Sequence, residues 1–215
     1  MKRANSEKER LIDQIISEEY PMFSSVQNIG GRAACQDDPD TFYIMRYAQH
    51  SIFGRETLES YLEDIGKAKR EGRNLIAEKY SRMMEETDPD WFEKNLRPYL
   101  PEPGRRSEIL ADSLTVVFMS CYERVKQQYP ALLAVGRSPY DNRDGASIRL
   151  YFSSELKTWS EKTLLLACSD IADCLEAGKN PVLMLYETII AQYRERESEE
   201  GKASSIGKGE FSRKS

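Results

Sequence analysis

One histidine, His50, and four cysteines that form no CxxC pair are all that this chain of 215 residues offers in the way of soft metal ligands. That scarcity excludes zinc sites built on several imidazoles or on paired thiolates, which need four ligands at short, regular spacings. Two-metal carboxylate sites in helical bundles use a Glu-x-x-His repeat on two helices, and one histidine cannot supply it twice. No metal site is expected. Cys35, Cys121, Cys168 and Cys174 lie among apolar or helical residues and read as reduced, partly buried thiols.

Positive charge is short as well. The formal net charge is -5 and the isoelectric point about 5.2, so no basic field attracts a phosphate backbone and nucleic acid is not an expected partner. No apolar run approaches the ~20 residues that span a bilayer, so no membrane partner is expected either. The opening residues Met1-Lys2-Arg3-Ala4-Asn5-Ser6 hold no apolar signal core, from which a cytoplasmic location is expected. The Lys-Ser/Thr ending of a phosphate-binding P-loop is missing and no dinucleotide fingerprint follows a strand, so no motif names a cofactor.

What the chain does have is the composition of amphipathic helices, 40% hydrophobic and 31% charged. Ser6 and Glu9 form a capping box before Leu11, Ile12, Ile15 and Ile16, predicting a helix over 7–19 that Pro21 ends. Asp38-Pro39-Asp40 supplies an N-cap, a proline at the first helical position and an acid in the first turn, opening a helix to about residue 52. Asp88-Pro89-Asp90 repeats the device. A long helix is predicted over 107–128, others over 146–156 and, from a capping box Thr158 to Glu161, to about 176, and a last one from 181 to about 197.

The same pattern recurs along the chain. Glu19-Tyr20-Pro21 through Gly31-Arg32 resembles Gln128-Tyr129-Pro130 through Gly136-Arg137 with four residues fewer, and a steady offset of 106 then aligns Thr57-Leu58 with Thr163-Leu164, Asp64-Ile65 with Asp170-Ile171, and Gly72-Arg73-Asn74 with Gly178-Lys179-Asn180. The last pair reads as a tight helix-helix corner, with glycine in the left-handed position that ends one helix and asparagine capping the next. The fold class expected is an all-α bundle of about eight to ten helices in two similar halves, 1–96 and 107–200, packed around the 107–128 helix, with a linker over 97–106 and a disordered tail over 201–215.

Chemistry concentrates in the loop 28–38, which gathers flexible backbone, a guanidinium, a thiol, an amide and carboxylates before a helix. The candidate ligand-binding residues are Gly30, Gly31, Arg32, Cys35, Gln36 and Asp37, joined by Arg137 from the matching loop of the second half. Paired glycines let backbone amides approach an anion, and an arginine holds a carboxylate or phosphate through two donors. Either Arg32 and Arg137 face one cleft, or each pins its own loop by pairing with a local acid.

The run Asn28 to Gln36, with Tyr20-Pro21-Met22-Phe23 before it and Thr41-Phe42-Tyr43-Ile44-Met45-Arg46 after it, resembles the bacterial family known as domain of unknown function 4125. The likeness continues through Glu71-Gly72-Arg73-Asn74-Leu75 and from Glu155-Leu156 to Thr163-Leu164. It implies a soluble bacterial protein and carries no activity, cofactor or catalytic residue. Two functions fit these residues: a protein that binds a small anionic molecule at loop 28–38, with or without catalysis, and a non-enzymatic helical module that binds a protein partner.

Overall fold

The computed structural model describes residues 6–27, 31–133 and 147–211, with side chains to residue 198. Among these it is all-α and holds no strand. Its elements are α1 (Glu7–Ser24), α2 (Pro39–Ser51), α3 (Arg55–Arg70), α4 (Leu75–Thr87), α5 (Pro89–Asn95), α6 (Arg105–Gln128), α7 (Pro130–Leu133), α8 (Ile148–Leu156), α9 (Glu161–Glu176) and α10 (Pro181–Phe211), with short 3-10 turns at Ala34–Asp37 and Arg97–Tyr99.

Local signals set most of the boundaries. Asp38 accepts a hydrogen bond from the Thr41 amide at 2.9 Å and Asp88 one from the Trp91 amide at 3.3 Å, each ahead of a proline that needs no donor partner. Gly72 and Gly178 take positive φ (70° and 71°), and the amides after them reach back to the Ala68 and Cys174 carbonyls. Asn74 then caps α4 through the Ala77 amide, and Asn180 caps α10 through the Val182 and Leu183 amides.

Three expectations are corrected. Helix α1 does not stop before Pro21 but runs on to Ser24, because Met22 and Phe23 are buried and their burial outweighs the one hydrogen bond that an exposed proline removes. The cap of α9 is Ser160, not Thr158, whose hydroxyl instead donates to the Glu155 carbonyl as α8 ends. Helix α6 is not packed between the two halves: its main contacts are with α7, α8, α9 and α10, all of the second half, and Val116, in the middle of its apolar run, is 70% exposed. The α10 backbone stays helical to Phe211, within the stretch expected to be a tail.

The centre is the contact of α3 with α9. Asp170 accepts from the Thr57 hydroxyl at 2.5 Å and the Gly54 amide at 2.6 Å, while Asp64 accepts from the Thr163 hydroxyl at 2.6 Å and the Ser160 amide at 2.9 Å. A side chain at Gly54 would run into Asp170, which fixes glycine at that approach. Around this axis the outer contacts cross over, α2 packing on α10 and α8 on α4, so each half of the sequence completes the other's core.

Candidate functional site

The expected loop is held by its own polar groups. Arg32 donates from Nε and Nη2 to Asp37 Oδ1 at 3.0 and 2.7 Å and from Nη1 to the Ser24 carbonyl at 2.7 Å, which latches the loop onto the end of α1. Arg32 in turn draws the Asp37 carboxyl below its ordinary pKa by hydrogen bonding and charge. Gln36 is buried, accepting from the Ala33 amide at 2.9 Å and donating to the Phe23 and Val26 carbonyls at 3.0 and 2.9 Å. Gly31 sits at φ 87°, and Cys35 is exposed. Gly30 and Arg137 lie outside the described residues, so the structure brings Arg32, Gln36 and Asp37 together and leaves the relation of Arg32 to Arg137 open.

A second group of charges lies where sequence reading placed none. Glu19, Arg46, His50, Lys79 and Glu155 are all buried, drawn from α1, α2, α4 and α8. Arg46 Nε donates to Glu19 Oε2 at 2.8 Å, Nη1 to Glu155 Oε2 at 3.0 Å, and Nη2 pairs with Glu19 Oε1. Lys79 donates to Glu155 at 2.5 Å and sits over the Tyr151 ring, 3.4 Å from its centre. The Tyr61 hydroxyl donates to Glu19 at 2.8 Å, and His50 Nε2 lies 3.2 Å from the same carboxylate.

Electrostatics in this group nearly balance. Burial alone would raise the Glu19 pKa, but the charge of Arg46 and the hydrogen bonds of Arg46 and His50 overcome it and hold the carboxyl down at about 2; Glu155 is held well below its ordinary value by Arg46 and Lys79 against the same desolvation. Burial lowers Lys79, with Glu155 opposing. Two carboxylates thus meet two cations, and the group neutralises itself. The sequence does carry a trace of it: Glu19 falls on the apolar stripe of Ile12, Ile15 and Ile16, and Lys79 follows Leu75 and Ile76 on the buried face of α4.

Arg82, three residues on from Lys79, is placed differently. It is 7% exposed, and among the described residues its guanidinium has no carboxylate within ion-pair distance. Its one hydrogen bond runs from Nη2 to the Pro101 carbonyl at 2.5 Å, and its Nε is buried with no partner. The nearby acids are engaged elsewhere: Glu78 receives Arg73 at 2.7 and 2.8 Å, and Glu85 receives Lys157 at 3.4 Å. Burial pushes the Arg82 guanidinium below its ordinary pKa, against the opposing charges of Glu78, Glu85 and Glu102. The side chain lines a cleft of about 80 Å³ between α4, the 97–103 connection and the start of α6, where Arg97, Lys157, Glu102, Glu108 and Phe92 also contribute.

Among the described residues no group of three or more His, Cys, Asp or Glu side chains is arranged to hold a metal ion, and no helix is long and apolar enough to cross a membrane. The profile of the family described as protein of unknown function (DUF4125) matches residues 9–200. The chain belongs to that family. The match takes in all three groups of residues, the loop, the buried charges and the Arg82 cleft, so each is part of the DUF4125 unit. No curated protein and no solved structure matches the chain.

Proposed function

We propose that this DUF4125 protein binds a small anion, and that the binding guanidinium is Arg82. One observation carries this reading: Arg82 is a buried cation without a carboxylate partner, beside a cleft. An unpaired charge taken out of water is expensive, and a bound anion would lower that cost. A guanidinium presents parallel N–H donors that match the two oxygens of a carboxylate or phosphate. The loop 31–38 supports a structural part in this account, because the Arg32 donors are occupied by Asp37 and Ser24. The four unbridged thiols favour a reducing compartment, the cytoplasm, as the place of action.

The test is a thermal-unfolding screen of the full chain against acetate, propionate, phosphate, amino acids and sugar phosphates. A ligand that binds the folded state raises the unfolding temperature with concentration. The shift is expected in the parent and in Arg32→Ala and absent in Arg82→Met; a shift lost in Arg32→Ala and kept in Arg82→Met would return the site to the loop.

A second reading, the protein-binding module, draws on a different surface. Ile109, Val116 and Leu165 on α6 and α9 are 55%, 70% and 45% exposed. Exposed apolar side chains mark docking sites where they join in one patch, and Ile109 and Val116 stand two turns apart on α6. On this reading Ile109→Ser/Val116→Ser abolishes capture of a partner and leaves the anion response intact; unchanged capture removes it.

A further inference from the structure

Helices α1 and α6 hold equivalent places in the two halves. The buried positions of α1 (Ile12, Ile15, Ile16, Glu19, Met22) recur at a constant offset as buried positions of α6 (Ala111, Leu114, Thr115, Phe118, Cys121). Their outer faces differ. Where α1 turns Arg10, Gln14 and Ser17 to solvent, α6 turns Ile109, Ser113 and Val116, and Leu165, exposed on α9, stands where α3 has Glu59. The second half is thus apolar on a face that the first half keeps polar, and the difference is confined to residues that its own core does not use.

The outward stripe of α6 reads Arg106, Ile109, Ser113, Val116, Ser120 and Glu123, at alternating spacings of three and four residues, the repeat of a two-helix seam. A twofold axis crossing α6 between Leu114 and Thr115 lays this stripe antiparallel on itself. Ile109 then faces Ser120 of the second copy, Val116 faces Ser113, and Arg106 faces Glu123, so each large side chain meets a small one and each charge its opposite. The Ser113 hydroxyl already donates to the Ile109 carbonyl at 2.7 Å, and its burial leaves no donor unanswered. Arg106 and Glu123 pair at the surface within their own chain, with Glu161 at 3.0 Å and Lys126 at 3.8 Å, and a second copy extends those pairs into a network. We infer that α6 is the interface of a twofold homodimer in which two copies of this helix pack antiparallel. About five turns of one helix bury less than the ~1,200 Å² of a standard-size interface, so the dimer is weak and reversible, with a dissociation constant on the order of 10–100 µM. This inference rests on the reading of the exposed α6 face as a protein-binding surface, commits that face to a second copy, and is independent of Arg82.

Sedimentation velocity of the full chain from about 1 µM to about 1 mM reads the association. The parent is expected to pass from monomer to dimer across that range. Ile109→Arg/Ser113→Gln/Val116→Ser, which copies the α1 stripe onto α6, should stay monomeric while its unfolding temperature at low concentration matches the parent's. Register is tested by charge: Arg106→Glu should weaken the dimer about fivefold, and adding Glu123→Arg should restore it, since the twofold makes the pair twice. A parent that is monomeric throughout would overturn the dimer; if the triple variant then still loses capture of a different protein, the face binds that protein and not a second copy. A dimer that persists in the triple variant, or a charge reversal that Glu123→Arg does not rescue, would overturn it as well.

Discussion

Arg46 and Arg82 are the same side chain at nearly the same depth, 3% and 7% exposed, in opposite surroundings. Two carboxylates and a glutamine amide enclose Arg46, so that every edge of its guanidinium meets an acceptor. Arg82 has one carbonyl and an Nε that faces no acceptor. A buried charge that is fully answered from within the protein has nothing left with which to recognise a ligand, whereas one that is left unanswered keeps donors free for one.

The two halves of the molecule show that the Arg46 arrangement is one of two workable cores. Buried residues on α1 (Ile12, Ile15, Ile16, Met22, Phe23) and on α6 (Ala111, Leu114, Thr115, Cys121, Tyr122) follow one spacing, and Asn74 and Asn180 donate to the Met22 and Cys121 carbonyls at 2.9 and 3.0 Å. In that frame Glu19 falls where Phe118 stands, and not opposite Gln128 as the Tyr-Pro repeat suggests. Arg46, by the offset of 106 that aligns Thr57 with Thr163, falls where Phe152 stands. The first half thus has a buried ion pair where the second has two stacked rings, with centroids 4.1 Å apart and 18° between their planes. A surface pair is reversed in sign: Arg55 meets Glu7 at 2.7 Å, and Arg106 meets Glu161 at 3.0 Å.

The largest effect should come from breaking the charged core on one side. Arg46→Met leaves Glu19 and part of Glu155 buried without a cation, which should lower unfolding free energy by about 3–5 kcal/mol in urea denaturation. Transplanting the second half's solution sharpens the comparison. Glu19→Phe/Arg46→Phe removes both charges together and should recover stability to within about 2 kcal/mol of the parent, since apolar replacement of a buried pair is often neutral or better. A double variant as unstable as Arg46→Met would mean that the two frames are not interchangeable.

Acid gives a smaller and more specific difference. The Glu19 carboxyl titrates near 2 when folded, below its ordinary value of 4.5, so its contribution is complete above that ordinary value and is lost as pH falls toward 2. The parent should therefore lose stability over this window more steeply than the double variant, which lacks the group; unfolding temperatures recorded from pH 5 to pH 2 measure the divergence. Equal slopes would show that Glu19 is not held by Arg46 as described.

How much of this was legible depends on whether the partners are local. The caps at Asp38 and Asp88 and the corners at Gly72 and Gly178 were readable because each is settled within a few residues. The buried charges were not, because Arg46 and Glu155 are 109 residues apart and come together only when α2 and α8 meet. Arg82 was the hardest to read: Glu78 and Glu85 stand four residues before and three after it on α4, spacings that suggest ion pairs. Only tertiary contact assigns those acids to Arg73 and Lys157 instead. For the Gly-Gly-Arg loop the sequence leaves two alternatives, a shared cleft or an arginine that pins its own loop through a local acid, and for Arg32 the local acid is Asp37.

The measurement that bears most directly on this account is the unfolding temperature of Arg82→Met beside the parent, without ligand and then with propionate and phosphate. If Arg82 is held for an anion, the variant should be as stable as the parent or more so in plain buffer, because a buried charge without an ion-pair partner has been removed, and one of the two anions should raise the unfolding temperature of the parent alone. A variant that unfolds far earlier in plain buffer, or that gains as much from either anion as the parent does, would contradict it.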